Sequence, residues 1–144
     1  MPIVNGVRVT TDPNNQYPFF DDEIYSIEAT VTLAQLNAGF TFLPAAGGVT
    51  IKVVGYYMKC TGAFTTATDI RISDTTGTPV DVVTLAIAGA TSGAVITEAL
   101  TTNITLGTFG APLTASQGLQ LRKTGSSAAG GTSIFVMCKY KVNA

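Results

Sequence analysis

The sequence has 144 residues, enough for one domain, and only 12% of them are charged, about half of the usual share of roughly 25%. Eight basic and nine acidic residues give a net charge of −1, which excludes the basic surface that nucleic acids and anionic membranes attract. The absence of histidine excludes Ser-His-Asp hydrolysis, Cys-His proteolysis and His-ligated zinc. So few charges cannot cover the surface of a soluble monomer. We expect the exposed surface to be rich in Thr, Ser, Asn and Gly, and part of it to be covered by other copies of the chain or by another protein.

The N-terminal part of the chain contains a candidate strand, Ile3–Thr10, followed by the segment Thr11–Glu23. In this segment, prolines, asparagines and three consecutive acids interrupt any strand, and three aromatic side chains stand close together: Tyr17, Phe19 and Phe20. Two interpretations remain open. The rings cap the core of their own domain, or the segment is an arm whose aromatics dock on a neighbouring chain. We therefore predict an N-terminal strand and arm over residues 1–23 and a single β domain over residues 24–144.

Beyond the arm, β-branched residues alternate with other residues and glycines recur at short intervals, a pattern typical of strands. The candidate strands are Ile3–Thr10, Tyr25–Thr32, Val49–Thr61, Thr68–Ser73, Val80–Ile87, Ala94–Thr105, Leu119–Lys123 and Ser133–Val142. One helical turn is predicted over Leu33–Asn37, with Thr32 as its N-cap. About eight short strands joined by hairpin-like turns predict an all-β fold, an antiparallel β-sandwich of jelly-roll-like type.

The uncharged stretch Val82–Thr97 needs a separate interpretation, because Asp81 and Glu98 bracket it as charges bracket a membrane span. It is shorter than the roughly 20 apolar residues that a span requires, and Gly89–Gly93 at its centre is typical of a turn. We expect strands here and no membrane association.

The last candidate strand has one apolar face and one mixed face. Phe135 and Met137 alternate onto the same side as Lys139 and Lys141, a pattern that suits a strand half covered by a neighbour. Phe135 and Met137 are therefore candidate partner contacts. In Thr68–Ser73, Asp69 and Arg71 project together onto a face that we expect to be solvated, where such a pair contributes little.

No catalytic, cofactor or metal site is predicted. Cys60 and Cys138 lie in separate candidate strands and are expected to be buried, reduced thiols; they could form a bridge only if those strands face each other. The acidic run Asp21–Glu23 is interpreted as solvated charge rather than as a cation site. Gly125–Gly131 lacks the Gly-Lys-Ser/Thr ending of a phosphate-binding loop and is interpreted as a hairpin tip. The sequence predicts a protein that is not an enzyme.

Two segments carry a resemblance to a known family. Gly62–Val80 (GAFTTATDIRISDTTGTPV) contains an Ala-Thr-Asp strand that ends in a Gly-Thr-Pro turn, and Leu113–Val142 enters a strand at Leu-Thr-Ala before a glycine-rich hairpin. Together they resemble small all-β structural proteins of tailed bacteriophages, the capsid decoration, cement or head-fibre class, over roughly Tyr25–Val142. The resemblance implies a jelly-roll-like domain, usually a homotrimer, bound to the major capsid protein on the outside of a virion that assembles in the host cytoplasm. It carries over no individual site residue.

Two other functions remain open at this point. One is a receptor- or carbohydrate-binding module of a phage fibre, for which Tyr56 and Tyr57 are the available aromatic platform because the chain has no tryptophan. The other is a minor capsid or head–tail connector component. The copy number per particle separates decoration from a connector.

Overall fold

The computed structural model describes residues 3–4, 7–8 and 23–143, and it shows an all-β protein with 57% strand and 7% helix. The predicted fold class is therefore confirmed. In chain order, the strands are β1 (Ile3–Val4), β2 (Val7–Arg8), β3 (Tyr25–Thr32), β4 (Phe40–Leu43), β5 (Thr50–Thr61), β6 (Thr65–Asp74), β7 (Asp81–Ala86), β8 (Val95–Thr97), β9 (Ile104–Leu106), β10 (Leu119–Ala129) and β11 (Ser133–Asn143). A short helix, α1 (Leu33–Ala38), follows β3, and a 3-10 turn (Ile87–Gly89) follows β7.

Nine of the strands form two antiparallel sheets. The four-stranded sheet has the order β3-β11-β5-β8, and the five-stranded sheet has the order β4-β10-β6-β7-β9. Without the added edge strand β9, eight strands remain in the two sheets. Renumbered from 1 to 8 in chain order, starting at β3, they have the order 1-8-3-6 in the four-stranded sheet and 2-7-4-5 in the five-stranded sheet. This is the strand order of a jelly roll, in which the first and last strands are neighbours.

The core lies between the two sheets, and the two-residue alternation of each strand supplies it. On β11, Ile134, Val136 and Cys138 are fully buried, while the residues between them are partly exposed. Ile70 and Ile72 of β6 contribute to the same core from the opposite sheet and are also fully buried. Each strand therefore has one side in the core and an outer side that faces away from it.

Helix α1 forms as predicted, because Thr32 and Gln35 make a capping box at its start. The Thr32 side-chain oxygen accepts a hydrogen bond from the Gln35 amide at 3.2 Å, and the Thr32 amide donates to Gln35 Oε1 at 2.9 Å. Near its end, Asn37 Nδ2 donates to the Ala128 carbonyl at 3.0 Å and Asn37 Oδ1 accepts from the Ala128 amide at 2.7 Å. The helix is thus tied to the backbone of β10.

Beyond residue 23, two of the predicted strand assignments are incomplete or wrong. The strand Phe40–Leu43 was missed; it is only four residues long and pairs with the start of β10. The single strand predicted over Ala94–Thr105 is two short strands in different sheets, β8 paired with β5 and β9 paired with β7. The chain crosses from one sheet to the other between them, and a local alternation pattern carries no information about such a crossing.

The hairpin tip predicted over Gly125–Gly131 is also wrong, because β10 extends to Ala129 and residues 130–132 connect it to β11 in the other sheet. Gly125 has φ +75° and lies against Thr68, where a Cβ would collide with the threonine side chain. The glycine therefore marks an irregularity inside the strand pairing rather than its end.

The N-terminal and apolar segments can be compared with their predictions only where they are described. The single strand predicted over Ile3–Thr10 is wrong, because β1 and β2 lie within it and pair with each other in antiparallel register. The arm Thr11–Glu23, with Tyr17, Phe19 and Phe20, lies outside the described residues except for the exposed Glu23. The stretch Val82–Thr97 forms most of β7, the 3-10 turn and β8. Within the described ranges, no helix has the length and apolar character needed to cross a membrane.

Candidate interaction surface

The outer side of the four-stranded sheet, called here the Phe135 face, brings together the two predicted contact residues. Phe135 lies opposite Thr30 of β3 and Lys59 of β5, and Met137 lies opposite Glu28 and Tyr57. The residues that make up the face are Glu28, Thr30, Gly55, Tyr57, Lys59, Val95, Thr97, Phe135, Met137 and Lys139, with Glu98 at its border.

The centre of the Phe135 face is apolar and partly open to solvent. The rings of Tyr57 and Phe135 meet edge to face, with centroids 6.0 Å apart. Met137 lies beside this pair and is half-buried, and Val95 at the edge of the sheet is 45% exposed. Two adjacent central strands, β11 and β5, thus present aromatic and thioether groups on the side away from the core.

Four charged side chains surround this apolar centre: Glu28, Lys59, Glu98 and Lys139. Lys139 and Glu98 lie close together because Gly55 has no side chain. A Cβ on Gly55 would be 3.3 Å from Lys139 Cβ and 3.5 Å from Glu98 Oε1. Within residues 23–143, none of the four charges forms an ion pair. Two acids and two lysines leave the face electrically balanced.

The structure separates the two tyrosines that the sequence offers as a carbohydrate platform. Tyr57 is on the Phe135 face, whereas Tyr56 is on the inner side, 3% exposed, with its ring edge to face with Phe109 at 5.4 Å between centroids. Burial, together with the nearby charge of Glu98, raises the pKa of Tyr56 above its ordinary value. A platform that uses both rings is therefore contradicted.

The outer side of the five-stranded sheet has a different character, with six polar side chains forming one cluster. They come from three adjacent strands and are Asp69, Arg71, Ser73, Asp81, Arg122 and Thr124. Arg71 donates to both carboxylate oxygens of Asp69, at 2.8 and 2.9 Å, and its Nη1 donates to Asp81 Oδ2. Arg71 therefore makes a bidentate contact with the carboxylate of Asp69 on β6 and a single contact with that of Asp81 on β7.

The second arginine closes the cluster from β10. Arg122 Nη2 donates to Asp81 Oδ1 at 2.8 Å, and Arg122 Nε donates to Ser73 Oγ at 3.0 Å. Ser73 Oγ donates in turn to Asp81 Oδ1 at 2.7 Å, and Thr124 Oγ1 donates to Asp69 Oδ1 at 2.6 Å. Asp81 thus accepts hydrogen bonds from three side chains, and the cluster links β6, β7 and β10.

The expectation that the Asp69–Arg71 pair lies on a solvated face is wrong. Asp69 is 7% exposed and Ser73 is completely buried, because Arg71 and Arg122 lie over them. The hydrogen bonds from Arg71 hold the pKa of Asp69 below its ordinary value despite burial. At Asp81, burial acts to raise the pKa, but the hydrogen bonds from Ser73, Arg122 and Arg71 together lower it below its ordinary value.

The cluster is suited to holding strands together rather than to chemistry. Both carboxylates are occupied by guanidinium and hydroxyl donors, so neither is available as a base or a ligand without breaking the ion pairs. In the part of the chain that the structure describes, no three of the acidic or cysteine side chains are grouped as a metal site would require.

The two cysteines are buried and unbridged, as predicted. They lie on the paired strands β5 and β11, but Cys60 is opposite Ile134 and Cys138 is opposite Tyr56. The two cysteines are four residues apart along the strand pair, which at about 3.3 Å per residue places their Cα atoms roughly 13 Å apart. A disulfide requires the two Cα atoms to lie within about 7 Å of each other. Burial raises the pKa of Cys60 to about 11 and that of Cys138 to about 12, so both thiols are protonated at neutral pH.

Comparison of the chain with models of protein families, with curated proteins and with solved structures found no match in any of the three. The function therefore has to be inferred from the two outer faces and the sequence, and of these two faces the Phe135 face has the chemistry of an interaction surface.

Proposed function

We propose that the protein is a non-enzymatic structural component of a phage virion that decorates and stabilises the outside of the capsid as a homo-oligomer. The observation that carries the proposal is the Phe135 face, a partly open surface of aromatic and thioether groups on a chain with only 12% charged residues. A chain with so little charge gains solubility when such a face is covered by protein.

The fold agrees with what the resemblance implies. The chain has jelly-roll strand order, and the two segments that carry the resemblance each place a strand in the five-stranded sheet, where these strands are neighbours. Strand β6, within Gly62–Val80, pairs with β10, within Leu113–Val142, along most of its length. A rigid sandwich that repeats over a regular lattice can bind firmly even when each copy makes only weak contacts.

The experiment that tests the proposal is quantitative mass spectrometry of purified particles of the phage whose genome encodes this protein. Decoration of the capsid predicts hundreds of copies per particle, as the symmetry of the shell provides that many equivalent sites. About a dozen copies would assign the chain to the head–tail connector instead, since that assembly is a single ring. Absence of the chain from the particles would refute the proposal.

The proposed contacts with the major capsid protein are Tyr17, Phe19 and Phe20. Replacing Phe19 and Phe20 together with alanine should weaken binding of the purified protein to particles that lack it by tens of fold, since the loss of aromatic anchors commonly costs about 2 kcal/mol or more. The melting temperature should change little. Alanine at Asn14 and Asn15, in the same segment, is the matched control and should leave binding unchanged.

The opposite pattern has an equally clear meaning. If the double alanine variant lowers the melting temperature while binding persists, the aromatics belong to the core of their own domain. The surface that binds the capsid would then have to be sought elsewhere on the protein.

A further inference from the structure

The outer side of the four-stranded sheet also indicates how two copies fit together. We propose that the Phe135 face pairs with the same face of a second copy, about a two-fold axis that runs parallel to the strands over the midline between β11 and β5. The proposal rests on the self-association in the proposed function, and it specifies a two-fold dimer in place of the homotrimer that the resemblance implies. The sheet order β3-β11-β5-β8 makes this midline the centre of the sheet.

The two-fold operation places unlike strands over each other. Strand β11 of one copy lies over β5 of its partner, and β3 lies over the partner's β8. The register then puts Met137 over the partner's Tyr57 and Phe135 over the partner's Lys59, each contact occurring twice. A thioether on an aromatic ring and an ammonium on an aromatic face are both favourable contacts, and they bridge sheets that stack about 10 Å apart.

The charges at the border fit the same axis. The Glu98 carboxylate lies over Gly55, and Gly55 is opposite Lys139 on the neighbouring strand. Rotation about the midline therefore carries the partner's Glu98 onto Lys139, while the partner's Gly55 leaves room for the lysine chain. A two-fold axis over β11 alone would instead place Lys139 against the partner's Lys139. Charge complementarity therefore favours the midline.

The size of the face sets the expected strength of the pairing. The face is four strands wide, with about 4.8 Å between strands, and seven residues long, with a rise of about 3.4 Å per residue. Its area is therefore on the order of 400 Å² per copy. This is well below the ~800 Å² per partner of a standard interface, so we expect a dimer with micromolar rather than nanomolar dissociation. Assembly on a particle would strengthen it by proximity.

The test is a charge exchange in the full-length chain. Sedimentation velocity over roughly 1–200 µM, a range that brackets micromolar affinity, should show conversion from a 14.9 kDa monomer to a dimer of twice that mass. Lys139→Glu and Glu98→Lys should each raise the dimer dissociation constant at least tenfold, because each puts like charges together across the axis. The double variant should recover most of the wild-type affinity. Lys123→Glu, the same charge change on the other sheet, is the control and should have no effect.

Several results would overturn the two-fold arrangement. A trimer of three times 14.9 kDa would contradict it, and so would a chain that stays monomeric throughout the range. A dimer that neither single variant weakens would mean that the Phe135 face has another occupant, such as the residues before Glu23. The two-fold arrangement is also refuted if the double variant does not recover the affinity although its circular dichroism and melting temperature match those of the wild type. The copy number in particles tests the proposed function independently of all these outcomes.

Discussion

The polar cluster on the five-stranded sheet makes a specific prediction for the variant Asp81→Asn. Asp81 accepts hydrogen bonds from Ser73, Arg71 and Arg122, so the amide removes the negative charge that both arginines share. Donors contact both carboxylate oxygens of Asp81, and the amide nitrogen of asparagine is itself a donor. Whichever oxygen this nitrogen replaces, it therefore faces another donor and forms no hydrogen bond there. The variant should therefore lose more than one hydrogen bond while the packing of the strands is unchanged.

The size of the effect follows from the contacts and their exposure. Hydrogen bonds to charged groups contribute about 1.5–3 kcal/mol each, and solvent reduces this because the side chain of Asp81 is 25% exposed. We expect the free energy of unfolding to fall by about 2–3 kcal/mol at pH 7. With an unfolding entropy of about 2.1 cal/mol/K per residue over 144 residues, the melting temperature should fall by roughly 8 °C.

Urea unfolding followed by tyrosine fluorescence is the appropriate assay, because the chain has no tryptophan and a salt denaturant would screen the ion pairs. The pKa of Asp81 is lowered in the folded state, so its contribution is complete above the unfolded pKa of about 3.9 and is lost as the pH falls through the folded value. The difference between wild type and Asp81→Asn should therefore shrink between pH 5 and pH 2.

The matched control is Glu23→Gln, which removes one exposed acid outside the cluster. It should change the free energy of unfolding by less than about 0.5 kcal/mol. Two results would refute the reasoning: a loss as small as that of the control at pH 7, or a large loss that persists unchanged at pH 2. The second result would mean that the loss comes from the donor hydrogens of the amide and not from the missing charge.

Three further predictions concern the fold. Asn37→Ala should lower the free energy of unfolding by about 1–3 kcal/mol, measured in the same urea assay, because two backbone groups of β10 lose their partner. Gly118→Ala should be strongly destabilising because its Cβ would collide with the backbone after β4, whereas Gly47→Ala, with open space, should be nearly neutral in thermal melts. Cys60 and Cys138 should react with a thiol reagent only after unfolding, and fast labelling of the native protein would contradict their burial.

The parts of the fold that the sequence predicted are those determined by local chemistry. The alternation in Tyr25–Thr32 and Ser133–Val142 corresponds to a buried inner side and an outer side because period two is a direct consequence of strand geometry. The single helical turn could be predicted because Thr32 is a suitable N-cap, and the structure adds the reciprocal hydrogen bond from Gln35. Such signals need no knowledge of the remote parts of the chain.

The parts that the sequence could not predict depend on contacts between distant residues. Asp69 and Arg71 look like an exposed pair until Asp81 and Arg122 are placed beside them, and that placement depends on the registers of β6 with β7 and with β10. Tyr56 and Tyr57 are adjacent in sequence but lie on opposite sides of β5, so the choice between core and surface required the sheet. Glu98 lies beyond β8 and joins the Phe135 face only because Gly55 leaves space for it.

The position of β11 between β3 and β5 has a consequence for how the protein is made. The four-stranded sheet cannot assemble until residues 133–143 are available, since β11 separates the first strand of the sheet from the third. Ribosomes add about 5–20 residues per second, so β3 spends several seconds without its neighbour. Contacts that span more than a hundred positions also slow folding in general. The pairing of β3 is therefore completed late, and until residues 133–143 have been made its edge is open to chaperones.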